Sequence, residues 1–218
     1  MIEPDVRPVP VPPAPMRLAC LISGGGRTVL NLREKIAAGE LAAEIMTVVA
    51  DRPCTGVGRC RDVGLPVVVR DRGAFASPAA LSERLWEDVD AAGADVTVLC
   101  GFLSRLVVPR GRELATLNIH PSLLPAFGGV GMYGTRVHAA AIRRGVRVSG
   151  CTVHFVTDEV DDGPILHQAA VPVRPADDPD ALAARVFAAE CEALPSALTR
   201  LAAGGLAVQD GRVVEAAG

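Results

Sequence analysis

An amide and an imidazole lie two residues apart at the end of a short apolar segment. Asn118 and His120 belong to the run 117–125, and alternation along a strand sends both side chains to the same face. Pro121 ends the strand directly after the histidine. A hydrogen-bond donor beside a group that titrates near neutrality suits a reaction through a tetrahedral oxyanion. A histidine packed in the core is the alternative, but ligands of open α/β sheets bind where strands end, so we favour a catalytic pair.

A glycine-rich turn follows the first apolar segment of the chain. Gly24, Gly25 and Gly26 precede Arg27 and Thr28. Glycines let the backbone approach a ligand, and the N–H groups that open the next helix favour an anion such as phosphate. The turn matches neither Gly-x-Gly-x-x-Gly nor the Walker pattern. We favour anion binding, and a tight strand-to-helix turn without a ligand is the alternative.

A third candidate is an acidic turn, residues 157–164, between two apolar segments. Its four acids are Asp158, Glu159, Asp161 and Asp162. Composition alone favours a solvated turn. A carboxylate close to His120 would hold the imidazole and raise its pKa, which would make the histidine a usable acid at pH 7. Spacing alone leaves both interpretations open.

Other common chemistries find little support in the sequence. The separations of His138, His154 and His167 match no zinc-ligand template, and the chain has no Gly-x-Ser-x-Gly elbow. Metal catalysis and serine hydrolysis of the common α/β type are therefore disfavoured. Six cysteines without a Cys-x-x-Cys pair are predicted to be reduced core residues.

Composition excludes further classes of partner. The 218 residues include 22 basic and 25 acidic side chains, a net charge of −3, which disfavours nucleic-acid binding. One Trp, one Tyr and five Phe are too few for a base-stacking platform. No apolar run reaches the roughly 20 residues of a membrane helix, and the first residues do not resemble a signal peptide. The cytoplasm is the expected location.

Apolar strands alternate with helical patterns from about residue 17 onward. Strands are predicted at 18–22, 45–50, 66–69, 95–100, 117–120, 148–156 and 165–173. Helices are predicted at 28–38, 58–63, 78–92, 136–143 and 179–203, the last with an interruption at Pro195 as one option. This alternation predicts an α/β fold: a single open, mostly parallel twisted sheet with helices on both faces and antiparallel strands toward the C-terminal part.

The chain is predicted to have three parts. Residues 1–15 hold six of the 17 prolines and are expected to form a flexible extension. Residues 16–205 form the folded domain. Residues 206–218 are a short tail or a hairpin about Asp210-Gly211.

Four segments resemble one known family, the folate-dependent glycinamide ribonucleotide formyltransferases of purine biosynthesis. They are residues 21–26, 101–103, 117–125 and 149–164, in family order. The resemblance implies a Rossmann-like formyltransferase fold for residues 16–205. It also implies transfer of the formyl group of 10-formyltetrahydrofolate, a co-substrate, to the amine of phosphoribosylglycinamide, with no metal. Related methionyl-tRNA formyltransferases and formyltetrahydrofolate hydrolases carry additional domains.

The resemblance assigns roles to named residues. Asn118 and His120 would flank the formyl carbonyl, with Asp161 as the acid paired with His120. The phosphoribosylglycinamide would contact Gly24, Gly25, Gly26, Arg27, Thr28, Pro121 and Glu190. The folate would contact Phe102, Leu103, Ser104, Arg105, Leu106, Asn118, Val156, Thr157, Asp158 and Val160.

Two observations bear on the folate contacts that the resemblance implies. Core packing is the alternative to ligand contact for Leu103 and Leu106; for Leu106 the two interpretations have equal weight, and we favour packing for neither residue. A basic residue commonly follows the position of Leu103 in the family, whereas here Ser104 comes first and Arg105 second.

Two other functions stay open. One keeps the folate chemistry with another acceptor, either water or a different amine. The other is a non-catalytic binding protein for a phosphorylated metabolite, which would leave Asn118 and His120 unused. The predicted partners are small-molecule substrates, with no nucleic acid and no membrane, and the sequence carries no signal for an oligomeric state.

Overall fold

A computed structural model describes residues 5–216 of the protein. Residues 1–4 of the predicted extension and residues 217–218 of the predicted tail lie outside the described residues. The strands are β1 (Val6–Pro8), β2 (Met16–Ile22), β3 (Ala43–Ala50), β4 (Val67–Val69), β5 (Val96–Leu99), β6 (Thr116–His120), β7 (Val148–Phe155), β8 (Ile165–Pro172), β9 (Leu206–Gln209) and β10 (Arg212–Glu215). The helices are α1 (Arg27–Ala37), α2 (Thr55–Asp62), α3 (Pro78–Ala91), α4 (Thr135–Arg144) and α5 (Pro179–Ala203).

The larger sheet has seven strands in the order β4-β3-β2-β5-β6-β7-β8. β2 pairs in parallel with β3 and β5, β3 with β4, and β5 with β6. β7 and β8 are antiparallel. The predicted fold, a mostly parallel open sheet with antiparallel strands toward the C-terminal part, is confirmed. Among the described helices, none is long and apolar enough to cross a membrane.

The chain divides into two compact units, and the first comprises residues 11–118. The strands of its sheet are largely buried; in β2, six of the seven residues are buried. α3 begins at Ser77, whose side chain accepts a hydrogen bond from Ala80 N–H, and Pro78 occupies the first helical turn. Its buried Trp86 donates from Nε1 to the carbonyl of Val107 at 2.8 Å. That bond anchors the long loop that leads from β5 to β6.

The second unit comprises residues 119–216 together with residues 5–10. Its longest element, α5, is one continuous helix, so the interruption considered at Pro195 is absent. The proline removes one backbone donor from the helix. Pro195 is buried with its neighbours Leu194 and Leu198, and burial of this apolar face compensates for the lost hydrogen bond.

The expectation of a flexible extension is wrong for residues 6–9. β1 pairs with β9 in a three-stranded sheet of order β1-β9-β10. Val9 is buried, and its N–H donates to the carbonyl of Leu206 at 2.9 Å. Pro8 is compatible with this pairing because β1 is an edge strand, where one missing donor faces outward.

β9 and β10 form a hairpin at the position expected from the sequence. Its two turn residues, Asp210 and Gly211, have φ of 48° and 75°. A two-residue turn with positive φ at both positions matches the twist of the paired strands. The boundaries at residues 16 and 205 stay a prediction.

We expect Leu198→Ala to lower the free energy of unfolding by about 2–5 kcal/mol, because it opens a cavity beneath α5. Leu198 is fully buried, whereas the adjacent Thr199 is exposed. Urea denaturation followed by circular dichroism measures the change. Thr199→Ala on the same helix is the control, with an expected effect within about 0.5 kcal/mol. Equal effects of the two substitutions would contradict the assigned helix face.

Candidate active site

Asn118 and His120 both lie on β6, as the sequence predicts. They are two residues apart, so their side chains leave the strand on the same side. Asn118 is half-buried, and His120 has an exposure of 4%. Pro121 follows the strand and is half-buried. The imidazole is therefore held in a largely water-free environment at the end of β6.

Both ring nitrogens of His120 face an oxygen atom. Nε2 lies 2.9 Å from the carbonyl oxygen of Phe127, and Nδ1 lies 3.4 Å from Oδ2 of Asp161. A carbonyl oxygen only accepts, so Nε2 carries the hydrogen of the neutral imidazole. Nδ1 is then the nitrogen that can take up a further proton, directly opposite a carboxylate.

The acidic turn brings Asp161 to His120, and this side chain is not solvated. The turn closes where Phe155 N–H donates to the carbonyl of Pro164 at 2.9 Å. A Cβ on Gly163 would lie 1.8 Å from the carbonyl oxygen of Phe155, so only glycine permits this closure. The Asp161 side chain is 9% exposed, and its Oδ2 accepts from Gly129 N–H at 2.9 Å. Its three acidic neighbours, Asp158, Glu159 and Asp162, are exposed, as a solvated turn requires.

His154 also faces Asp161, a contact that the sequence analysis missed. Its Nε2 lies 3.7 Å from Oδ1 of Asp161, and its Nδ1 lies 2.8 Å from the carbonyl oxygen of Phe155. The side chain is 2% exposed. The available signal was its place near the end of β7, shortly before the acidic turn. Asp161 is therefore enclosed by two buried imidazoles.

Burial controls the ionisation of this cluster. Burial lowers the pKa of His120, and the charge of Asp161 and the Phe127 carbonyl raise it by less, so the net pKa lies below the ordinary histidine value. Asp161 raises the pKa of His120, as expected, but the cost of desolvating the imidazolium is larger, so the expected net increase is wrong. Burial raises the pKa of Asp161, but the nearby His154, the charge of His120 and the Gly129 N–H together lower it below the usual aspartate range.

In the first unit, the glycine turn (residues 23–28) joins β2 to α1. Gly26 is the residue before the helix and has a φ of 69°, a conformation that favours glycine. The turn packs against α2: a Cβ on Gly56 would lie 2.5 Å from the carbonyl oxygen of Gly24 and 2.9 Å from Gly26 N. Gly56 N–H also donates to that Gly24 carbonyl at 3.0 Å. The turn is thus held by backbone contacts.

The start of α1 is suited to an anion. Gly24 and Arg27 are exposed, and Gly25 and Thr28 are half-buried. Among the described residues, no side chain caps the start of α1 and no acid lies in its first turn. A second guanidinium, which the sequence analysis missed, adjoins the turn: Arg59 donates from Nη1 to the carbonyl of Gly25 at 3.2 Å.

The folate segment, residues 102–106, follows β5 in the same unit. Leu103 is 46% exposed, whereas Phe102 and Leu106 are only 8% and 6% exposed. Leu106 is therefore packed in the protein, whereas much of the Leu103 side chain is accessible. Ser104 is half-buried and Arg105 is exposed.

The remaining predicted contacts lie in the second unit. Val156 and Thr157 are half-buried, Asp158 and Val160 are exposed, and Glu190 is half-buried on α5. Across residues 5–216, no group of three or more His, Cys, Asp or Glu side chains is arranged to hold a metal ion.

Comparison with known proteins decides the family. The formyl transferase family profile matches residues 16–198. The chain belongs to the formyl transferase family. The expected resemblance is thereby confirmed, and the fold described above is that of this formyl transferase.

Two curated relatives are both named phosphoribosylglycinamide formyltransferase. This formyl transferase is 33% identical over 202 residues to phosphoribosylglycinamide formyltransferase of Escherichia coli (strain K12), which covers 89% of this chain and 91% of the relative. It is 38% identical over 179 residues to the chloroplastic phosphoribosylglycinamide formyltransferase of Arabidopsis thaliana, which covers 80% of this chain. The match spans only 61% of the length of the Arabidopsis protein.

A solved structure has the same fold over most of its length. The crystal structure of glycinamide ribonucleotide transformylase 1 from Symbiobacterium toebii superposes with a TM-score of 0.84 at 36% identity. The superposition covers 93% of this formyl transferase and 94% of that chain.

Substitution of Gly56 by Ala tests how the glycine turn is held. We expect Gly56→Ala to destabilise the protein and to speed hydrogen exchange at residues 24–26, because the new Cβ would overlap the Gly24 carbonyl. Thermal denaturation and hydrogen-exchange mass spectrometry measure both effects. Gly58→Ala in the same helix is the control, since a Cβ there meets nothing within 4 Å. Slower hydrogen exchange in Gly56→Ala, or an equal loss of thermal stability in Gly56→Ala and Gly58→Ala, would refute the contact between Gly56 and the glycine turn.

Stability should fall as the pH falls below about 6.5, the ordinary histidine pKa. The pKa of His120 is lowered in the folded protein, so the unfolded chain binds more protons as the pH drops from that value to the lowered one. Urea titrations between pH 8 and pH 5 measure the slope. We expect His120→Gln to reduce this slope, and His138, whose pKa burial also lowers, should keep part of it. If His120→Gln leaves the dependence of stability on pH unaltered, unfolding does not change the protonation of His120 in this pH range.

Proposed function

We propose that this formyl transferase transfers the formyl group of 10-formyltetrahydrofolate to the amine of 5′-phosphoribosylglycinamide, as in de novo purine biosynthesis. The observation that carries the proposal is the buried pair formed by His120 and Asp161. His120 lies two residues after Asn118 on the same strand. The names of the relatives support the choice of acceptor. The predicted cytoplasmic location stays a prediction.

Asn118 and His120 would act on the formyl oxygen. Attack of the amine on the formyl carbon turns the carbonyl into a tetrahedral oxyanion. The Asn118 amide and the His120 Nε2–H are donors on the same side of β6. Nε2–H donates to the Phe127 carbonyl in the structure, and we propose that the substrate oxygen takes the place of that acceptor.

Asp161 would make this donor stronger as the reaction proceeds. A negative oxygen beside Nε2 favours the protonated imidazole, and the Asp161 carboxylate stabilises the proton that Nδ1 then carries. Collapse of the intermediate breaks the bond from carbon to the folate nitrogen. A proton is lost from the attacking amine, and one is delivered to the departing nitrogen. The lowered pKa of His120 keeps it ready to accept a proton at neutral pH.

The glycine turn would bind the phosphate of the amine substrate. The backbone N–H groups of Gly25 and Gly26 and the start of α1 at Arg27 and Thr28 supply donors and a positive dipole end. The guanidinium of Arg27 could bind the phosphate through two hydrogen bonds. Pro121 and Glu190 are proposed to contact the rest of this substrate, with the Glu190 carboxylate accepting from ribose hydroxyls.

The folate would be bound by the segment after β5 and by the start of the acidic turn. Leu103 offers exposed apolar area to a pterin ring. The other proposed folate contacts are Phe102, Ser104, Arg105, Leu106, Asn118, Val156, Thr157, Asp158 and Val160. Holding both substrates in a fixed orientation would supply much of the rate acceleration.

We expect His120→Ala and Asn118→Ala each to lower kcat by about 10²–10³-fold, because each removes a donor to the oxyanion. Purified protein is assayed for the formylated product and for tetrahydrofolate. His167→Ala is the control and should keep the wild-type rate. Near-normal turnover in His120→Ala would end the proposed mechanism.

The same assay without the amine substrate tests the acceptor. The proposal requires that tetrahydrofolate form only when phosphoribosylglycinamide is present. Formate release without the amine would show that water is the acceptor. Binding of the ribonucleotide without affinity for folate, measured by calorimetry, would instead show a non-catalytic binding protein.

A further inference from the structure

The first unit contains a second buried carboxylate, which the mechanism above does not use. Asp51 directly follows β3, and its side chain has an exposure of 0%. A buried carboxylate is costly unless hydrogen bonds and opposite charge replace its water. The partners of Asp51 therefore indicate why it is tolerated.

Two side chains donate to Asp51, and Ser23 lies near it. Arg52 donates from Nε to Oδ1 at 2.8 Å and from Nη2 to Oδ2 at 2.7 Å. The Ser104 hydroxyl donates to Oδ2 at 2.5 Å, and the nearby Ser23 hydroxyl helps to lower the pKa of Asp51. Burial raises the pKa of Asp51, but these donors outweigh it and keep the pKa below the usual aspartate range. Asp51 is therefore an anion at neutral pH.

Two of these partners begin or belong to the proposed binding segments. Ser23 is the first residue of the glycine turn, and Ser104 is in the middle of the folate segment. The Ser23 hydroxyl oxygen also accepts from Leu103 N–H at 2.8 Å. One carboxylate and one hydroxyl thus connect the segment proposed for phosphate to the segment proposed for folate.

Backbone hydrogen bonds place Asp51 where it can make this connection. Asp51 N–H donates to the carbonyl of Ile22 at 3.2 Å, and Ser23 N–H donates to the carbonyl of Gly101 at 3.1 Å. The carboxyl ends of β3, β2 and β5 are adjacent in the sheet. Asp51 and Ser23, each directly after its strand, therefore meet at one edge with Ser104 of the loop that follows β5.

We propose that Asp51 is a positioning residue that holds the glycine turn and the folate segment in their binding conformations, and so sets the affinity for both substrates. The assignment rests on the proposed function, because it takes the ligands of the two segments from it. Ser104 gains a role from this arrangement: it binds Asp51, at the position where a basic residue is common in the family. Arg52 supplies the positive charge that neutralises the buried anion.

The proposal predicts a particular kinetic pattern. The side chains that donate to Asp51, Arg52 and Ser104, are not the proposed reacting residues, so its loss should weaken binding without changing the chemical step. We expect Asp51→Asn to raise KM for both substrates by about tenfold or more, with kcat within about threefold of wild type. Ser104→Ala should raise KM for the folate by more than KM for the amine, because it removes the bond from Asp51 to the folate segment and leaves the glycine turn in place.

The experiment compares Asp51→Asn and Ser104→Ala with a matched control. Asp88 also binds an arginine through two hydrogen bonds, from Arg70 Nε and Nη2, each at 2.7 Å. Asp88→Asn therefore removes an equivalent ion pair in the same unit, remote in sequence from both binding segments. Each variant is measured for thermal stability, for kcat and both KM values, and for hydrogen exchange at residues 24–26 and 103–104.

Faster exchange in both segments and a rise in both KM values, in Asp51→Asn but not in Asp88→Asn, would support the proposal. KM values equal to those of Asp88→Asn, or a fall in kcat alone, would overturn it. If the wild-type protein does not transfer formyl to the amine, the proposed function fails, and hydrogen exchange then decides about Asp51 independently. Unchanged exchange in Asp51→Asn would reject the positioning role in that case.

Discussion

The enclosed carboxylate of Asp161 is the constraint on which the candidate site depends. An anion removed from water needs donors or an opposite charge; here Gly129 N–H donates to it, and two imidazole nitrogens that can bind a proton face it. This requirement explains the tight turn at Gly163 and the left-handed conformation of Asp161 itself, with a φ of 58°. The conformational strain of Asp161 is offset by the contacts that its carboxylate makes with Gly129 N–H and His120.

The two histidines beside Asp161 each use one nitrogen on a backbone carbonyl. His120 binds the Phe127 carbonyl through Nε2, and His154 binds the Phe155 carbonyl through Nδ1. In their neutral forms, both rings therefore present the other nitrogen, without hydrogen, to the carboxylate. A proton that enters the cluster is shared between an imidazole and Asp161. With both rings neutral, the cluster carries the single negative charge of Asp161, and it would take up a proton in the proposed reaction.

Asp51 solves the same physical problem for a different purpose. Its charge is balanced by Arg52 and by hydroxyl groups, which titrate far from neutrality, so it stays ionised and fixed. Asp161 accepts from Gly129 N–H and faces the imidazole of His120, the group proposed to take up a proton during the reaction. In the proposed roles, Asp51 organises the binding segments, whereas Asp161 takes part in proton movement. The type of the neighbouring side chains makes the difference.

The sequence by itself determined the mostly parallel sheet, the glycine turn and the Asn118 and His120 pair, because these depend on local periodicity and on short motifs. It did not determine the enclosure of Asp161 by His154, the burial of Asp51, or the strand at residues 6–8, which pairs with a segment about 200 residues later. The lowered pKa of His120 also came from the tertiary structure. Desolvation and long-range pairing depend on which distant residues meet, and one-dimensional spacing carries no such distances.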